Sequence, residues 1–190
     1  MPNPVQRPDA ALSSDEIFEI VSLLNRVWPK PEVTVAELVR AFPEAQRYRR
    51  VSQPEAREPA MRHLIREEQR LIAHALTFER TILSEEGEVR LMALSGVCVR
   101  PSHRGQGLGR DIARDALARV DRGEFPVALF QTGVPAFYRA LGAEVIRNRF
   151  CDSRNRIAPE ANPWNDEWIM IYPGEYEWPR GGVDLNGPGY

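Results

Sequence analysis

Arg104-Gly105-Gln106-Gly107-Leu108-Gly109-Arg110 is the stretch whose residue types and spacing could do chemistry. The apolar run Leu91 to Val99 before it reads as a strand, and Leu108 to Val120 after it reads as a helix. Glycines between a strand and a helix N-terminus make an anion site: unpaired N–H groups point outward and the helix dipole adds partial positive charge. Gly105, Gly107 and Gly109 let the main chain approach a phosphate with no Cβ in the way. Arg104 places a cation beside it. Spacing excludes two common phosphate loops. No Lys-Ser or Lys-Thr follows a glycine, and the third glycine of a dinucleotide fingerprint would fall on Arg110.

A second segment has to position the rest of the chemistry. Val127 to Phe130 reads as a buried strand, and Pro135 suits the first turn of a helix that runs from Ala136 and stops at Gly142. Strand 91–99, helix 108–120 and strand 127–131 then form a right-handed βαβ unit with parallel strands. That crossover brings Tyr138 to the C-terminal strand edge, where open α/β sheets bind ligands.

The rest of the chain predicts a single mixed α/β domain over 1–190. Ser13 or Ser14 caps a helix to about Val27, and Thr34 caps a second, Val35 to Ala41, that ends before Pro43. Residues 1–12 read as an extended arm with room for a short first strand, and Gln46 to Pro59 as a mobile loop. Arg62 to Glu67, Arg70 to Thr81 and Val89 to Val99 make an antiparallel meander, and Glu167 to Tyr172 is the last strand.

Composition narrows the class. A net charge of -2, from 25 basic and 27 acidic residues, leaves no footprint for nucleic acid or an anionic membrane surface. No apolar run reaches the length of a membrane span, and the N-terminus does not read as a signal peptide. Cys98 and Cys151 form no metal spacing with His63, His74 or His103, so no metal is expected. Cys98 reads as a small core residue, and the chain as a reduced, cytoplasmic protein. After Glu160 carboxylates outnumber cations, and aromatic residues crowd the same stretch. That combination suits a cationic amine or, equally, an acidic tail covering a sheet edge.

Arg-x-x-Gly-x-Gly after Val99-Arg100-Pro101 resembles the pyrophosphate loop of the GNAT superfamily of acyl-CoA-dependent N-acyltransferases. Phe137-Tyr138-Arg139-Ala140-Leu141-Gly142 is similar to that family's second signature, with Ala143 where Phe is usual. The resemblance spans roughly 88–146. It implies an acetyl-CoA-binding core there, N-terminal helices and loop over 1–60, an acceptor-side strand and tail over 160–190, and a splay between the fourth and fifth strands. It further implies that Arg104 to Arg110 hold the diphosphate and that the backbone of Val97, Cys98 and Val99 pairs with pantetheine. An amine would attack the thioester in a ternary complex, a Val97 or Cys98 N–H would polarise the carbonyl, and Tyr138 would protonate the sulfur. Ser95 stands where several relatives carry a basic Glu; it could hold a water, with Glu67 and Glu79 as other bases. The ending Trp178 to Pro188 is similar to the tail of nodulation N-acyltransferases and, more loosely, of aminoglycoside 2′-N-acetyltransferases. By that likeness Asp184 and the terminal carboxylate on Tyr190 hold a small amine acceptor. A homodimer, a preference for longer acyl chains, and a CoA-binding module without turnover stay open; a nucleotide-binding domain is disfavoured by the spacings.

Overall fold

A computed structural model describes residues 2–190. The chain divides into two compact units, one running up to Phe78 together with Gly96–Ala116, the other Glu79–Ser95 with Leu117–Tyr190. Strands β3 (Arg70–Ser84) and β4 (Gly87–Val99) and helix α3 (Leu108–Asp121) each contribute to both.

In the first unit, β1 (Val5–Pro8) pairs antiparallel with β2 (Met61–Glu67), and β2 pairs antiparallel with β3. Glu68 and Gln69 turn this hairpin with φ of 45° and 68°, where the sequence places it. Helix α1 (Ser14–Val27) starts with a capping box: Ser13 accepts from the Glu16 N–H while the Glu16 carboxylate accepts from the Ser13 N–H. Thr34 and Glu37 repeat the device at α2. Ile20, Val21 and Leu23 of α1 pack with Phe42, Leu64, Leu71 and Cys98, which gives the first unit its core.

Helix α2 corrects the sequence reading. It runs Val35–Ser52 with Pro43 inside, so its second half occupies much of the expected loop. Proline inside a helix costs about 3 kcal/mol. Contacts beyond Pro43 offset that cost: Gln46 donates to the Asp9 carbonyl, and Arg49 pairs with the Asp9 carboxylate at 2.8 Å.

In the second unit, β4 pairs parallel with β5 (Ala128–Thr132) at Met92–Ala128 and Ala93–Leu129. That gives the mixed sheet expected of the βαβ segment. Helix α4 (Pro135–Arg139) is shorter than expected, with turns continuing to Gly142. Strand β8 (Trp168–Tyr172) pairs antiparallel with β5 and with β6 (Glu144–Ile146). Two further short strands, β7 (Arg149–Cys151) and β9 (Gly182–Asp184), pair in parallel, and β9 joins the end of β3. Ile82, Leu91, Val127, Leu129, Ile171, Val183 and Leu185 are buried together. The tail is thus part of the core.

Candidate active site

The glycine loop has the geometry its composition implies. Gly105 and Gly107 sit at φ of +80° and +85°, and a Cβ on either would meet nothing within 4 Å. Their backbone is left-handed, which glycine adopts at no cost, and the space beside it is open. The Gly107 carbonyl accepts from the N–H groups of Arg110 and Asp111, so α3 begins immediately after it. The first N–H groups of such a helix have no helical carbonyl to bond. Arg104, Gln106 and Arg110 are exposed, while Leu108 is buried as the helix's anchor. His63, fully buried in β2, lies 2.6 Å from Asp115 of α3 through Nδ1, and Gln6 of β1 also donates to Asp115. These contacts fix the helix on which the loop is mounted. Glu67, one of the expected bases, is half-exposed and sits 3.1 Å from His103 of the same loop.

Val97 and Val99 are half-buried. Cys98 is buried, and burial pushes its thiol up to about 12, against the pull of the Arg104 charge. It stays protonated and serves as core rather than nucleophile. Gly96 adopts φ of +59° within β4, and its carbonyl accepts from the Nδ1 of His74 at 2.8 Å. The other ring nitrogen lies 3.0 Å from the Arg62 guanidinium, whose Nε donates to Asp9 at 2.7 Å. Sequence reading missed this network. Asp9, Arg62 and His74 carry no spacing motif, and they meet only through strand register.

Burial, reinforced by the Arg62 charge, holds the His74 imidazole down at about 3. An unfolded chain binds that proton below about 6.5, whereas the folded one does not. Stability should therefore fall as pH drops from 6.5 toward 3, by roughly 1.4 kcal/mol per unit from this residue. Denaturant midpoints measured against pH should show a shallower acid slope in His74→Asn; an unchanged slope would mean that His74 is not the residue responsible.

The second unit holds the remaining candidates. Tyr138 is buried, at 6% exposure, with its ring 4.6 Å from Phe130 and 4.9 Å from Phe137. Ser95 is half-buried in β4. Glu79, another of the expected bases, is buried and ion-paired with Arg90 at 2.8 Å. Asp184 pairs in register with Leu83, beside the hairpin turn that opens β4. Ser95 lies eight residues beyond Gly87, or roughly 25 Å along the strand. One Asp184 carboxylate oxygen accepts from the Ser153 and Asn186 N–H groups, which keep the acid below its usual range although burial opposes this. A cavity of about 330 Å³ beside it is lined by Glu85, Glu160, Arg149 and Cys151. The Tyr190 ring is packed against Trp164 and under Arg80, and its main-chain oxygen accepts from Gln131 at 2.9 Å. Asp184 and Tyr190 are therefore both anchored within the unit, Asp184 against the end of β3 and the Tyr190 main-chain oxygen on Gln131 of β5. Among the described residues no group of His, Cys, Asp or Glu is arranged to hold a metal ion, and no helix is long and apolar enough to cross a membrane.

The profile of the acetyltransferase (GNAT) domain matches residues 10–146, and the chain belongs to that family. No curated protein sequence matches it. Among solved structures it is similar to a GNAT family N-acetyltransferase from Escherichia coli solved with CoA. That match has TM-score 0.58 and 15% identity, and covers 97% of this chain and 91% of that one. A GNAT family acetyltransferase from Brucella melitensis solved with acetyl-CoA gives TM-score 0.57 and 15% identity, covering 97% and 96%. A GCN5-related N-acetyltransferase from Kribbella flavida gives TM-score 0.53 and 15% identity over 76% of this chain, which spans only 33% of that one. At these identities the likeness carries the fold.

Proposed function

We propose that this protein transfers an acetyl group from acetyl-CoA to the primary amine of a small, cationic acceptor. The observation that carries the reading is the open, left-handed Gly105–Gly107 turn that begins α3, in a chain of the GNAT family. The diphosphate sits on the N–H groups of Arg104 to Arg110, with Arg104 and Arg110 as countercharges. Pantetheine pairs with the free edge of β4 at Val97 to Val99. The neutral amine attacks the thioester carbon, a C–N bond forms, and negative charge builds on the carbonyl oxygen against the Val97 or Cys98 N–H. Collapse breaks the C–S bond, and the Tyr138 hydroxyl gives its proton to the departing sulfur. The proton lost by nitrogen passes to a water held by Ser95, because a serine hydroxyl is itself too weak a base. The two free cysteines fit a reducing, cytoplasmic setting.

Ligand-dependent unfolding tests the cofactor. Acetyl-CoA at a hundredfold excess over its Kd should stabilise the protein by about 2.7 kcal/mol, while NAD and ATP at equal concentration should do far less. Equal stabilisation by all three would point to a general nucleotide site instead.

A further inference from the structure

Asp9, Arg62 and His74 are buried at 5%, 3% and 0% exposure, a costly set of groups to take out of water. They form one line. Arg49 and Arg62 both donate to the Asp9 carboxylate, at 2.8 and 2.7 Å. Arg62 lies against the Phe42 ring and reaches the Nε2 of His74 at 3.0 Å. A guanidinium can only donate, so Nε2 accepts and the single ring proton sits on Nδ1. That N–H donates to the Gly96 carbonyl at 2.8 Å.

The line ends on an amide with two sides. The carbonyl of Gly96 and the N–H of Val97 belong to the same peptide group. A peptide that accepts a hydrogen bond at oxygen becomes a stronger donor at nitrogen, because linked hydrogen bonds polarise one another. Direction follows from register. The Arg100 N–H bonds to the Ile72 carbonyl of β3 at 2.7 Å. Successive N–H groups of a strand alternate sides, so those of Val99 and Val97 point away from β3. Gly96, at φ of +59°, is the left-handed residue from which this run departs. A Cβ there would lie 3.3 Å from the His74 ring and 3.6 Å from Leu24, so ring and glycine fit closely.

We infer that Asp9, Arg62 and His74 are positioning residues that lock the left-handed Gly96 backbone and polarise the Val97 N–H toward the acyl carbonyl oxygen of bound acetyl-CoA. The inference rests on the acetyl-CoA reading of the glycine loop. None of the three touches the reacting atoms; they act through one peptide group.

Isotope-edited infrared spectroscopy of acetyl-CoA labelled at the thioester carbonyl reads that polarisation directly and needs no acceptor. In the wild type the bound carbonyl band should move to lower frequency than in free acetyl-CoA. His74→Phe keeps the ring and removes both nitrogens. It should lose most of the shift, bind acetyl-CoA within about threefold of wild type, and lower kcat about tenfold, less than the loss of a whole oxyanion donor. His74→Asn, whose amide N–H takes the place of Nδ1–H, should keep the shift. Should His74→Phe fail to fold, Arg62→Gln removes the charge and leaves a donor for Nε2, and its band should fall between the free and wild-type positions. A wild-type band in the folded His74→Phe, or in Arg62→Gln where that is the variant read, would overturn the proposal while leaving the cofactor reading intact. Failure of the wild type to bind acetyl-CoA would instead remove the cofactor reading, and this inference with it.

Discussion

Gly107→Asp should lower acetyl-CoA affinity at least a hundredfold, about 3 kcal/mol or more. The position is suited to the test. Gly107 has φ of +85° and open space where a Cβ would go, so the new side chain meets no neighbour. Aspartate is among the residues that tolerate left-handed backbone, at a cost of about 1 kcal/mol, so the fold should survive. The carboxylate would stand at the helix N-terminus, where a diphosphate is to bind, filling the approach and repelling the ligand. Gly107→Asn has the same shape and no charge, and should lose much less. Calorimetry on folded variants separates the two effects. Unchanged affinity in Gly107→Asp would move the cofactor away from this loop.

Tyr138→Phe should lower kcat about a hundredfold or more while acetyl-CoA binding changes little, the usual scale for losing a general acid. The ring packs 4.6 Å from Phe130 and 4.9 Å from Phe137. Phenylalanine keeps that packing, so the unfolding midpoint should shift little. The readout is single-turnover release of free thiol compared with the binding isotherm. Wild-type turnover in this variant would take Tyr138 out of the mechanism and leave water as the proton source.

The parts of this fold written in local sequence were the parts that could be read. Ser13 with Glu16, and Thr34 with Glu37, announce their helices because a capping box is completed within four residues. The glycine loop, α3 and β5 follow one another, and the parallel pairing of β4 with β5 follows from the crossover between them. Pro43 misled because proline is a local stop signal, whereas the contacts that carry α2 through it come from Asp9, more than thirty residues away. Strands β6, β7 and β9 are three residues each, too short for any period to show. Asp184 and Tyr190 come forward as ligands for an amine only through the likeness of the tail; what the structure adds is how the tail is fastened: Asp184 bonds backbone N–H groups, and Arg80 donates to the Leu185 and Pro188 carbonyls. Deleting Gly182 to Tyr190 would remove Val183 and Leu185 from the core, so tail deletion cannot serve as a test of acceptor binding. The line from Asp9 to Gly96 was beyond reading, since each residue, taken alone, is an ordinary member of a strand or arm.

Thiol release from acetyl-CoA in the presence of a panel of amines tests the central claim most directly. Free thiol should appear in step with acetylated amine, faster with di- and polycationic acceptors than with monoamines of equal basicity, and only when enzyme, acetyl-CoA and amine are all present. Acetyl-CoA that binds yet keeps its thioester intact across the whole panel, while its dissociation constant stays below the concentration used, would contradict transfer and leave a CoA-binding module in its place.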